Sequence, residues 1–188
     1  MKIPYILSAF LLIGSTVAAN ASTASSRDSA VLSAVIQRNC AMAARSSYGE
    51  VQVIPSKTDT IEVSSFSKSF NKSAIQSLLA RNAVRHDLPR VEMCLGFKVI
   101  ASAKINKLFQ SEANPAKPVP MRQPFHQSFP KAAGILSLSL PGYSESGQLA
   151  VVQVSYACGS LCGSGEYWIL HNVKGKWVVV SRSPAWVS

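Results

Sequence analysis

Apolar and polar positions alternate along Gly134-Ile-Leu-Ser-Leu-Ser-Leu140, stop at Pro141-Gly142, and resume from Gln148 to Ala157 with Leu149, Val151, Val152, Val154 and Tyr156. Glu166 to Val173 follows, then a turn at Lys174-Gly175-Lys176, then Trp177 to Ser183. A two-residue period is the mark of strands. Connections this short can join only antiparallel neighbours, so the four segments predict a meander. Trp168, Trp177 and Trp186 fall within or just after these strands and read as core or edge packing.

The N-terminal half shows a different period. Leu32, Val35, Ile36, Cys40 and Ala43 recur at three and four residues, which predicts a helix from Asp28 to Arg45 ending at Tyr48-Gly49. Val51 to Ile54 reads as a strand stopped by Pro55, with a turn at Lys57-Thr58-Asp59 and a second strand at Thr60 to Val63. Asn71 can cap a helix over Lys72 to Asn82, with Ile75, Leu78 and Leu79 inward. Val91 to Ala101 reads as a strand, and Ser102 caps a short helix through Phe109. Residues 111–124 hold Pro115, Pro118, Pro120 and Pro124 and read as a loop inside one unit, because an open C-terminal sheet needs a covering layer. The fold class expected is α+β: a twisted antiparallel sheet of five or six strands with two or three helices on one face, cystatin-like or NTF2-like.

The first residues change the compartment. Lys2, the apolar run Ile3 to Ile13, and Ala19-Asn20-Ala21 have the layout of a secretory leader with an A-x-A cleavage site, giving residues 1–21 as signal and 22–188 as the folded unit. The apolar run is shorter than the roughly 20 residues a membrane span requires. The expected location is periplasmic or secreted, with no transmembrane helix in the mature chain.

Net charge is +10, or +9 once Lys2 leaves. Outside the cytoplasm a basic chain meets acidic envelope components, acidic proteins and anionic head groups, so peripheral membrane contact fits and nucleic acid is not the expected partner. The charges are scattered, and no aromatic-interleaved basic tract of the kind that stacks single-stranded bases is present. The densest basic cluster, Arg81, Arg85 and Arg90 around His86, is a solvated helix end or a binding surface.

Four cysteines allow three complete pairings, among which proximity favours Cys158 with Cys162. Such a link would lock a hairpin loop whose Gly159, Gly163 and Gly165 offer positive-φ freedom. A redox-active pair would want two intervening residues and a following helix, whereas here three intervene and a strand follows. A zinc site would need ligands at metal-binding spacing, which His126 and His171 do not supply. No metal and no cofactor is expected.

Phe125-His-Gln-Ser-Phe-Pro-Lys-Ala-Ala-Gly-Ile135, Val154-Ser-Tyr-Ala-Cys-Gly-Ser-Leu-Cys-Gly-Ser-Gly165, Gly175-Lys-Trp-Val-Val-Val180 and the terminal Trp186-Val-Ser188 resemble a group of bacterial exported proteins of unassigned function. These share F-P-x-x-x-G-I, a C-G-x-L-C-G-x-G hairpin loop and a final W-x-S. The resemblance covers the last third of the chain and implies an architecture, with no catalytic residues to carry over.

Gly142-Tyr-Ser144-Glu-Ser146 approaches a nucleophile elbow, but its last glycine is displaced to Gly147 and it joins two strands rather than a strand and a helix. The chain has nine acidic residues and no closely spaced acid pair. The expected function is therefore a non-enzymatic exported binding module, with Arg81, Arg85, Arg90, His126 and His171 as candidate surface residues beside the cysteine loop. The alternative is an envelope hydrolase or thiol oxidoreductase whose site the sequence does not expose.

Overall fold

The computed structural model describes residues 16–43, 51–61, 70–110, 122–159 and 162–188. The leader's apolar run and the Tyr48-Gly49 stop lie outside them. The chain is α+β, with helices α1 (Thr16–Ala43), α2 (Lys72–Arg81), α3 (Ser102–Gln110) and α4 (Arg122–Ser128). The strands are β1 (Val51–Pro55), β2 (Phe97–Ile100), β3 (Ala132–Leu138), β4 (Gly142–Tyr143), β5 (Leu149–Gly159), β6 (Cys162–Val173) and β7 (Lys176–Val187).

The strands form one twisted sheet in the order β2-β1-β3-β5-β6-β7, with β4 paired to β5. The β3-β5-β6-β7 portion is the expected antiparallel meander. At its other end β1 runs parallel to both β3 and β2, so the whole sheet is mixed. Parallel neighbours need long crossovers. The chain between β1 and β2 carries α2, and that between β2 and β3 carries α3 and α4.

Adjacent strand residues point to opposite faces, and both faces are covered. On one, Leu136, Leu138, Ala150, Val152, Trp168 and Leu170 pack against Val31, Leu32, Val35 and Ile36 of α1. On the other, Val151 and Tyr167 meet Ala74, Ile75 and Leu78 of α2, while Val53 and Ile135 meet Ile105 of α3 and Phe125 of α4. Three helices thus share one face as expected, and α1 adds a layer opposite.

Several local expectations are corrected. The first helix is expected from Asp28 but spans Thr16–Ala43, so it includes the Ala19-Asn20-Ala21 site. The alanines and the absence of glycine and proline there suit a helix. Thr60 and Ile61 are not in a strand; Asp59 N–H instead donates to the Leu138 carbonyl, and the Ile61 side chain is buried against α2. Residues 91–96 are irregular, and only Phe97–Ile100 joins the sheet.

At α3 the Ala101 carbonyl accepts the Lys104 and Ile105 N–H groups, which puts Ala101 at the cap. The Ser102 hydroxyl accepts from Lys57 N–H instead. The loop expectation ran too far: Arg122 to Ser128 is helical, with Pro124 in the first turn, where a missing N–H costs no helical bond.

Two sequence signals hold. Asn71 caps α2 through its side chain, which accepts from Ala74 N–H at 3.0 Å. At the β6–β7 turn Lys174 (φ 51°) and Gly175 (φ 83°) are both left-handed. That matches the twist of the strands they join, and glycine relieves the cost at the second position.

Candidate functional site at the disulfide-locked hairpin

β5 and β6 form a long hairpin, pairing Ser155 with Gly165, Tyr156 with Ser164, Ala157 with Gly163 and Gly159 with Cys162, with a bulge between Ala157 and Gly159. Cys158 and Cys162 are joined across its tip with Cα atoms 5.2 Å apart, inside the range a disulfide tolerates. Closing so small a ring stabilises by about 2 kcal/mol; its larger effect is to fix the tip.

The end of the chain returns to this tip. Gly165 pairs with Trp186 and Ser164 with Val187, and the Gly163 carbonyl accepts the Ser188 N–H at 3.0 Å and the Ser188 hydroxyl at 3.4 Å. A Cβ on Gly165 would lie 2.1 Å from the Trp186 indole nitrogen, and one on Gly163 would lie 3.1 Å from the ring's far edge. Neither glycine has positive φ. This corrects their expected role: Gly163 and Gly165 are extended-strand residues whose missing side chains let the indole lie against the backbone. Trp186 nevertheless stays 40% exposed, beside an 81% exposed Val187. Trp168 is fully buried and donates its indole N–H to Glu166, and Trp177 packs on the core.

Changing Gly165 to alanine is expected to push the Trp186 ring off the strand. An indole already partly in solvent can swing out, so the loss should be about 1 kcal/mol, at the low end for overpacking. The sharper readout is fluorescence: against a Trp186→Phe reference, the Trp186 contribution should shift to longer wavelength and quench more readily with acrylamide. An unchanged spectrum would contradict the stacking.

The five other candidate residues do not gather at this tip. His171 is exposed on β6, nine positions from Cys162 and so roughly 30 Å along the strand. His126 lies on α4 with its ring edge-on to Phe125. Arg90 lines an open groove between α1 and the β6–β7 turn. Arg85 sits at a cleft mouth, 3.8 Å from Asp59.

Arg81 faces inward. Its guanidinium spans both carboxylate oxygens of the buried Asp28 at 3.0 and 2.6 Å and donates to the Pro141 carbonyl at 2.5 Å. The Tyr143 hydroxyl donates to the same carboxylate at 2.8 Å, and the Arg27 guanidinium lies 3.9 Å above the Tyr143 ring. Burial works against the charged guanidinium, but hydrogen bonding and charge from Asp28 outweigh it and raise the Arg81 pKa. Burial, followed by the neighbouring Asp28, pushes the Tyr143 phenol up.

Sequence reasoning missed Asp28, Tyr143 and Arg27. The one available signal was an acid within an apolar helical stripe, one turn before Leu32. Among the described residues no group of three or more His, Cys, Asp or Glu is placed to hold a metal ion.

Comparison with family models, with curated proteins and with solved structures finds no match to this chain.

Proposed function

We propose that this chain is an exported, non-catalytic binding module that engages an acidic envelope partner through the hairpin tip. The observation that carries this reading is Trp186, held flat on two glycines yet 40% exposed. Tryptophan is enriched among interface anchors, and an anchor fixed before binding loses little side-chain entropy on docking. The disulfide keeps the surface beneath it in one shape, and the net positive charge, +10 in full and +9 without Lys2, steers acidic partners toward the chain.

Two disulfides, and no helix among the described residues long and apolar enough to cross a membrane, are compatible with export. Of the segments that resemble the exported group, the cysteine loop and the terminal tryptophan meet at the tip. That convergence supports reading the tip as the docking surface.

A photo-activated cross-linking residue at Val187, in the cell that makes the protein, tests this. The expected result is one acidic protein or polymer captured from Val187 and not from Val84, which is 61% exposed on a separate segment. Trp186→Ala should weaken capture by about 2 kcal/mol, roughly thirtyfold, and Cys158→Ser with Cys162→Ser should weaken it less. Equal capture from Val84, or capture indifferent to Trp186→Ala, would refute the proposal. Intact mass of the exported protein would show whether residues 1–21 are removed.

A further inference from the structure

On the face carrying α2, α3 and α4, a cleft of about 190 Å³ opens between α3 and the segment after β1, reaching Ala157 beside the hairpin tip. Its floor is apolar, with Ile105 and Ile135 buried and Ala157 beside them. Its mouth carries Lys57, Asp59 and Arg85.

The mouth is built before any ligand arrives. Thr58 N–H donates to the His86 carbonyl at 2.8 Å, and His86 N–H donates to the Thr58 hydroxyl at 3.0 Å. Lys57 bonds Asp87 at 2.9 Å, so one side of the mouth is tied to the other. A preformed cavity with an apolar lining and a few convergent polar groups is the usual form of a small-molecule site.

The geometry also selects a ligand class. An apolar cavity of about 150 Å³ holds benzene, so this one accepts a single ring or a short branched chain. Two of the three charged residues at the mouth are cations. Arg85 is half exposed and stands 3.8 Å from Asp59, too far for a hydrogen bond, so its fork can turn to another anion. The Asp87 carboxylate is engaged by Lys57, and Asp59, the carboxyl that faces Arg85, has its charge disfavoured by burial, which raises its pKa against the opposing pull of Arg85 and the Thr60 N–H.

We propose that this cleft binds a small carboxylate with an apolar body, the carboxylate on Arg85 and the body over Ile105, Ile135 and Ala157. The proposal stands independently of the hairpin's role.

The test is a titration of the isotopically labelled protein with benzoate and, separately, with the neutral benzamide, read by backbone amide shifts. Benzoate should move the amides of Ile105, Ile135 and Ala157 and bind about tenfold more tightly than benzamide, as a charge-assisted bond to arginine implies. Arg85→Gln should remove that preference, Asp59→Asn should strengthen benzoate binding, and Ile105→Trp should fill the cleft and abolish both. Trp186→Ala should leave the preference for benzoate over benzamide, and its dependence on Arg85, unchanged. No shift at these three residues, equal affinity for the two probes, or a benzoate affinity untouched by Arg85→Gln would each overturn it.

Discussion

Asp28→Ala is expected to lower the unfolding free energy by about 3 kcal/mol, the low end for removing one partner of a buried ion pair. The low end applies because Arg81, left behind, keeps a 27% exposed side chain, whereas the lost carboxylate is only 6% exposed. Three hydrogen bonds are lost together, two from the guanidinium arms of Arg81 and one from the Tyr143 hydroxyl, although one Arg81 arm keeps the Pro141 carbonyl. These groups come from α2 and β4, while Asp28 comes from α1, so the carboxylate ties elements on both sides of the sheet.

Tyr143→Phe should cost only about 1.5 kcal/mol, the low end for one hydrogen bond to a charged group. Asp28→Leu combined with Arg81→Met should recover most of the loss, because an ion pair replaced by apolar packing is often neutral. Urea unfolding of the three variants measures all of this. A loss below 1 kcal/mol for Asp28→Ala, or a double variant no better than the single, would show that the cluster adds little.

The cluster also shows where a sequence stops being readable. β3, β5, β6 and β7 follow from local alternation, because each strand's inward residues are set by a period of two and its neighbours by short turns. The Asn71 cap and the Lys174-Gly175 turn are equally local. By contrast, β1 finds its parallel partners through crossovers carrying α2, α3 and α4, and nothing in Val51 to Pro55 announces which strands it will join.

Leu88, Val91 and Met93 do pack against the core, as their apolar character demands, but from irregular chain rather than a strand. Gly96, at φ 94°, turns that chain into β2. Asn82 is fully buried for a comparable reason: it donates to the carbonyls of Leu78 and Leu140 and accepts from Leu140 N–H, closing the end of α2 onto the chain after β3. At the candidate site the cysteine loop was legible from spacing. The meeting of Trp186 with Gly163 and Gly165 was not, since it depends on β7 returning along β6 with a bulge between Gly165 and Glu166.

Cys40→Ala with Cys94→Ala is expected to be the more damaging disulfide deletion, by about 4 kcal/mol against about 2 for the hairpin pair. Cys40 and Cys94 are 54 residues apart, against a separation of 4 for Cys158 and Cys162, and the entropy removed from the unfolded chain grows with the closed loop. The folded side points the same way. The Cys40 bond holds residues 91–96 against α1, and among the contacts there Glu92 N–H donates to the Ser33 hydroxyl at 2.9 Å. Without the bond, Val91 and Met93 keep their packing but the segment has no ladder to close on. Its amides should therefore exchange with solvent faster than those of β5 and β6, well before global unfolding. Chemical denaturation of the two double variants gives the ranking, and hydrogen exchange gives the location. Equal losses, or a larger loss for the hairpin pair, would mean that native-state contacts outweigh loop closure in setting what each bond contributes.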